Sequence, residues 1–99
     1  MEIHVTKQDG SKIIAVQGRI DTTTAPTFER TLLKEMENES EVRVDLQEVA
    51  YVSSAGLRAF LNGQKFANKK KMDMILLNVA DTVMEVLEMT GFVDILTIE

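Results

Sequence analysis

Apolar Ile3 and Val5 alternate with polar Glu2, His4 and Thr6 at the start of the chain, the period of a strand with one wet face. Asp9-Gly10 then predicts a hairpin turn. The run Ile13-Ile14-Ala15-Val16 is apolar at every position, which predicts an inner strand pairing back on the first and ending near Gly18. Asp21-Thr22-Thr23-Thr24 precedes Pro26 and offers short side-chain oxygens to the free amides of a first helical turn. The helix that follows carries Ala25, Phe28, Leu32 and Met36 at spacings of three and four, leaving Glu29, Lys34 and Glu35 for water. Glu37 to Glu41 reads as its exit loop.

Val42, Val44 and Leu46 alternate with Arg43 and Asp45 and predict a third strand, with Tyr51 and Val52 closing the connection beyond it. Ser53-Ser54 supplies the cap of a second helix, whose Leu57, Phe60, Leu61 and Ala67 share a helical period. It runs to Lys69-Lys70-Lys71, three cations that complement the negative end of the helix dipole and read as a solvated end. Met74-Ile75-Leu76-Leu77 predicts a strand covered on both sides. Asn78 or Asp81 is positioned to cap a third helix with Val83, Val86, Leu87 and Thr90 on one face, and Gly91 stops it. Asp94 to Ile98 reads as a last strand. The order ββαβαβαβ predicts an α/β fold, a mixed, mostly parallel β-sheet covered by α-helices.

A chain of 99 residues holds one domain, here residues 1–99. With no cysteine there is no disulfide or thiolate metal site, and the single histidine, His4, cannot furnish a zinc site or a catalytic relay without help. No metal or other cofactor is expected. A net charge of -5 opposes nucleic-acid binding. No apolar run reaches the roughly 18 residues of a membrane span, and the first ten residues lack the features of a secretion signal, so a cytoplasmic protein without direct membrane insertion is expected. Catalytic signatures are equally scarce. Val52 stands where a Gly-x-Ser-x-Gly motif needs its first glycine, no glycine-rich phosphate loop is present, and the carboxylates of Asp21, Asp45 and Glu48 are ordinary in an acidic chain. No enzyme is expected.

The feature that stands apart is Tyr51-Val52-Ser53-Ser54-Ala55-Gly56-Leu57, a strand-to-helix turn with two hydroxyls. A serine there serves as a helix cap contributing about 1 kcal/mol. An anion at the same spot also meets unpaired amides and the positive end of a dipole, so a phosphate is held at little cost to the fold.

The segment from Val44 to Leu57, with Asp45-Leu46, the aromatic Tyr51 and Ser54-Ala55-Gly56-Leu57, resembles the signature of the STAS domain, the module of sulfate transporters and anti-sigma factor antagonists. Gly18-Arg19-Ile20-Asp21 is similar to the Gly-x-x-Asp turn before that family's first helix, and Thr90-Gly91-Phe92 to its late Thr-Gly-hydrophobe turn. The resemblance implies an anti-sigma factor antagonist in a partner-switching pathway. Such a protein, unphosphorylated, binds an anti-sigma factor that is also a serine kinase of the histidine-kinase-like ATPase type. Phosphorylation ends the binding, and a PP2C-type phosphatase restores it. Counting back from Gly56-Leu57 makes Ser54 the implied acceptor. The family's usual aspartate before the acceptor is Ser53 here, which removes a charge and leaves Ser53 as a competing acceptor. The implied partner surface takes in Asp21, Ser53, Ser54, Ala55, Gly56 and Leu57. Arg58 and Asn62, four apart on a polar face of the same helix, are added to it. Met84 and Met89, off the main face of the third helix, are further contact candidates. The alternative is a constitutive STAS interaction subunit of a membrane transporter or lipid-transport complex, in which the serine only caps a helix.

Overall fold

A two-residue turn starts the fold. Asp9 and Gly10 take φ values of 51° and 84°, the left-handed pair that joins strands with their natural twist, and they link β1 (Glu2–Gln8) to an antiparallel β2 (Ser11–Ile20). The computed structural model describes residues 1–99. After β2 come α1 (Ala25–Met36), β3 (Glu41–Val52), α2 (Ser54–Lys70), β4 (Asp73–Leu77), α3 (Asp81–Thr90) and β5 (Thr97–Ile98). The sheet order is β1-β2-β3-β4-β5, antiparallel between β1 and β2 and parallel elsewhere. This is the mixed, mostly parallel α/β arrangement expected.

Because each parallel strand lies beside its predecessor, right-handed crossovers lay all three helices on one face. The burial follows. The in-register row Ile14–Val44–Leu76 is fully buried, as are Val42 and Met74, and these join Phe28, Leu32, Phe60, Val83 and Leu87 of the helices in one core. The alternate row, Ile13–Arg43–Ile75–Thr97, faces the other way; Ile13 and Arg43 there are only half-buried. Ala25, Phe28, Leu32 and Met36 are all buried, as their spacing predicts. Phe28 meets Phe60 edge to face at 5.1 Å between centroids, which ties α1 to α2.

The strands differ from expectation at their ends. β2 passes Gly18 (φ 110°) and reaches Ile20, and β3 takes in Tyr51 and Val52; the two stay paired through register shifts near Val16 and Gly18. Such bulges break the period of two, so the pattern of side chains does not announce them. Val5 is exposed because β1 is an edge strand, leaving only Ile3 partly covered. Neither Asn78 nor Asp81 caps α3. Its N-cap is Ala80 without a side-chain bond, while Asn78 (φ 53°) donates from Nδ2 to Asp45 Oδ1 at 3.1 Å. Thr90 is exposed, its hydroxyl donating to the Val86 carbonyl at 2.8 Å. Gly91 (φ 80°) does end α3, but Phe92–Asp94 then forms a 3-10 turn, so the last strand is only Thr97–Ile98.

The end of α2 exposes all three lysines. Lys71 is left-handed (φ 57°), with Met72 N–H donating to the Ala67 carbonyl at 3.0 Å and Lys71 N–H to that of Asn68 at 3.4 Å, a closure that glycine normally makes. Lys71→Gly is therefore expected to stabilise the fold by about 0.5 to 1 kcal/mol, read as a raised urea midpoint at constant slope.

Candidate functional site

The C-terminal ends of β2 and β3 lie side by side, and the chain leaves them into α1 and α2 respectively. Ile20 pairs with Val52, and the Ser53 amide donates to the Ile20 carbonyl at 2.9 Å, which fixes the start of α2 against the end of β2. The two serines then part in role. Ser53 is extended (φ -86°, ψ 177°), the backbone of an N-cap, and its Oγ accepts from Gly56 N–H at 3.3 Å. Ser54 is the first helical residue; it is exposed, and its hydroxyl has no partner in the chain. The amides of Ser54 and Ala55 point out of the first turn without a protein acceptor. An acceptor oxygen arriving at Ser54 thus meets free donors and the positive end of a 17-residue helix.

Across the turn, Asp21 is committed to its own loop. Its Oδ1 accepts from the amides of Thr23 and Thr24, each at 3.0 Å, and Thr24 Oγ1 donates to the Arg19 carbonyl at 2.7 Å. The Thr24 amide, with help from the Thr23 amide, the Thr24 hydroxyl and the Arg19 guanidinium, holds the Asp21 carboxyl below the usual aspartate range against a partial loss of solvent. Asp21 stays ionised and orders the entry to α1. Thr24 holds the N-cap position, but its hydroxyl makes no bond to the amides of the first turn of α1.

The remaining expected site residues separate into two groups. Gly56 and Leu57 are buried and offer no side chain to a visitor: a Cβ on Gly56 would stand 2.8 Å from the Ile20 carbonyl, and Leu57 belongs to the core. Asn62 is half-buried and donates to Glu29 Oε1 of α1 at 3.1 Å, so it braces two helices rather than standing free. Ser54 and Arg58 are exposed, and Ala55 is half-buried where α1 and α2 diverge, beside Thr22, Pro26 and Arg30. On α3, Met84 is half-buried and Met89 is 81% exposed. Sequence reasoning passed over one pair: the Arg19 guanidinium sits 4.1 Å above the ring centroid of exposed Tyr51. That pairing joins β2 to β3 across a bulge, and only the observed register reveals it.

The STAS domain family model matches residues 2–99. The chain belongs to the STAS domain family. An anti-sigma-B factor antagonist of Listeria monocytogenes is 31% identical over 101 residues, covering 100% of this chain and 89% of that protein. A solved anti-sigma factor antagonist of Thermotoga maritima, described as putative, superposes with a TM-score of 0.86 at 19% identity, over 97% of this chain and 84% of that one. The phosphorylated form of SpoIIAA, a Bacillus cell fate determinant, superposes with a TM-score of 0.73 at 13% identity, over 99% and 91%. These two structures share the fold. Within this STAS domain, no helix is long and apolar enough to cross a membrane.

Proposed function

We propose that this STAS domain is an anti-sigma factor antagonist that works as a ligand and a substrate, not as a catalyst. Unphosphorylated, it binds an anti-sigma factor that is also a serine kinase of the histidine-kinase-like ATPase type. Phosphorylation of Ser54 releases that partner, and a PP2C-type phosphatase resets the switch. The observation that carries the reading is the division between the serines: Ser53 closes the helix while Ser54 stands exposed with its hydroxyl unpaired. The Listeria relative supports the antagonist role by its name, and SpoIIAA supports the chemistry as a neighbour that exists in a phosphorylated form. Ser53 in place of an aspartate fits as well, since a hydroxyl oxygen caps a helix about as well as a carboxylate oxygen does. The partner surface in this reading is Ser54, Ala55 and Arg58, with the Asp21 turn beside them.

A phosphate adds about 1.5 to 2 negative charges at neutral pH. At about 5 Å from a partner carboxylate and an effective dielectric of about 20, each unit costs about 3 kcal/mol. A penalty of about 3 kcal/mol exceeds a hundredfold in affinity, and desolvation of the phosphate adds to it. The fold tolerates the same group because the free amides of Ser54 and Ala55 receive it.

The test is incubation with a kinase of that type and ATP, with the phosphate mapped by mass spectrometry. Phosphate is expected on Ser54 in the parent and in Ser53→Ala, and none in Ser54→Ala. Ser54→Asp, carrying one charge, is expected to weaken kinase binding at least about tenfold, or about 1.4 kcal/mol. Modification of Ser53 alone, or full-strength binding by Ser54→Asp, would overturn the assignment.

A further inference from the structure

Four of the 11 Lys and Arg side chains have a carboxylate partner. Lys7 and Lys12 pair with Glu39 and Glu35, Arg43 pairs with Glu41 and Glu99, and Arg19 lies beside Asp21 and over Tyr51. Arg58 is different. It is exposed on the first turns of α2 and no carboxylate lies within 4.0 Å of it; Glu29 of the facing helix lines the same cleft but accepts from Asn62.

Arg58 is four residues beyond Ser54 on the same helix, a spacing that brings Cβ atoms to roughly 5–6 Å. Helical Cα–Cβ bonds tilt toward the N-terminus, so the Arg58 side chain leans back over the turn that begins with Ser54. The order, anion first and cation four later, is the favourable one for a helical ion pair. A guanidinium also matches phosphate oxygens with two parallel N–H donors.

We infer that Arg58 is a phosphate clamp: once Ser54 is phosphorylated, the Arg58 guanidinium folds back and grips the phosphoryl oxygens of its own helix. The inference rests on Ser54 being the acceptor. It assigns the modified state an internal partner, so that the new charge is held in one place at the head of α2. Arg30 of α1 shares the cleft and is the other unpaired guanidinium on that side; Asp21, held by its own turn and by Arg19, is the nearest fixed acid of the β2–α1 connection.

The experiment places phosphoserine at position 54 of the full chain by translation, so that no kinase is needed, and follows the second phosphate ionisation by phosphorus-31 NMR. A cation beside the phosphate favours its dianion. In the parent the ionisation is expected about half a pH unit or more below its position in Arg58→Ala, with Arg58→Lys between them and Arg30→Ala close to the parent. Because Arg58 is exposed, the variants keep the fold, which backbone amide spectra check. Identical titrations of the parent and Arg58→Ala, or a shift that follows Arg30 instead, would overturn the clamp while leaving the switch at Ser54 standing. A kinase that ignores Ser54 would sink the switch without altering this titration.

Discussion

Phe60→Ala is expected to lower the stability of the domain by about 3 to 5 kcal/mol, the largest loss of any change considered for this chain. Phe60 is fully buried and its ring meets Phe28 at an interplanar angle of 62°. Truncation removes the transfer free energy of the ring, the edge-to-face contact worth about 0.5 to 1.5 kcal/mol, and the packing of atoms that cannot follow into the space left behind. A domain of this size has only about 5 to 15 kcal/mol to lose. Urea titration is expected to show a midpoint well below that of the parent at similar slope, and a loss under about 1.5 kcal/mol would mean that α1 and α2 do not depend on this contact. The effect reaches the site indirectly, because the same face of α2 that carries Phe60 keeps the first turn, with Ser53 and Ser54, seated on β2 and β3.

The helix-forming pattern was the most legible part of the chain. Ala25, Phe28, Leu32 and Met36 recur at the helical period, and burial of that face by the sheet is what the pattern encodes. Asp9-Gly10 was equally plain, since few residue pairs accept two left-handed positions in succession. Strand ends were less so. Tyr51 and Val52 continue β3 only because bulges let β2 and β3 stay paired, an outcome of tertiary register rather than of local preference. Asn78 looks like a helix cap, yet its side chain goes to Asp45, a residue 33 positions away. At the site, the motif located the turn and pointed to Ser54 as the acceptor, but left Ser53 in competition with it. Two adjacent serines are chemically the same; the extended backbone of Ser53 makes one a cap and leaves the other to solvent. Leu57 and Gly56 belong to the same motif for a reason of packing, and their burial separates them from the residues a partner is able to touch.

That packing reason leads to the second large effect. In an open helix, Gly→Ala gains about 0.8 to 1 kcal/mol from propensity, so Gly56→Ala would be expected to stabilise α2 if nothing lay beside it. Three atoms do. A Cβ at position 56 would stand 2.8 Å from the Ile20 carbonyl oxygen, 2.8 Å from Val52 Cγ1 and 2.9 Å from Ile20 Cγ2. The carbonyl is backbone, and it already accepts the Ser53 amide at 2.9 Å, so it cannot retreat without releasing the start of α2. Overpacking of this kind costs typically about 1 to 3 kcal/mol and sometimes more, and the loss of the Ser53 anchor adds about 1 kcal/mol, which the propensity gain offsets, so the net expectation is a destabilisation of about 1 to 3 kcal/mol. Gly63→Ala is the internal comparison. Its Cβ would meet Leu32 Cδ2 at 2.8 Å and Met74 Sδ at 2.9 Å, both flexible side-chain atoms able to shift, and the propensity gain offsets much of the strain. Urea midpoints of the two variants, measured side by side, are expected to place Gly56→Ala lower by more than about 1 kcal/mol. The reverse order would show that α2 is free to slide away from β2, and the fixed presentation of Ser54 would lose its physical basis.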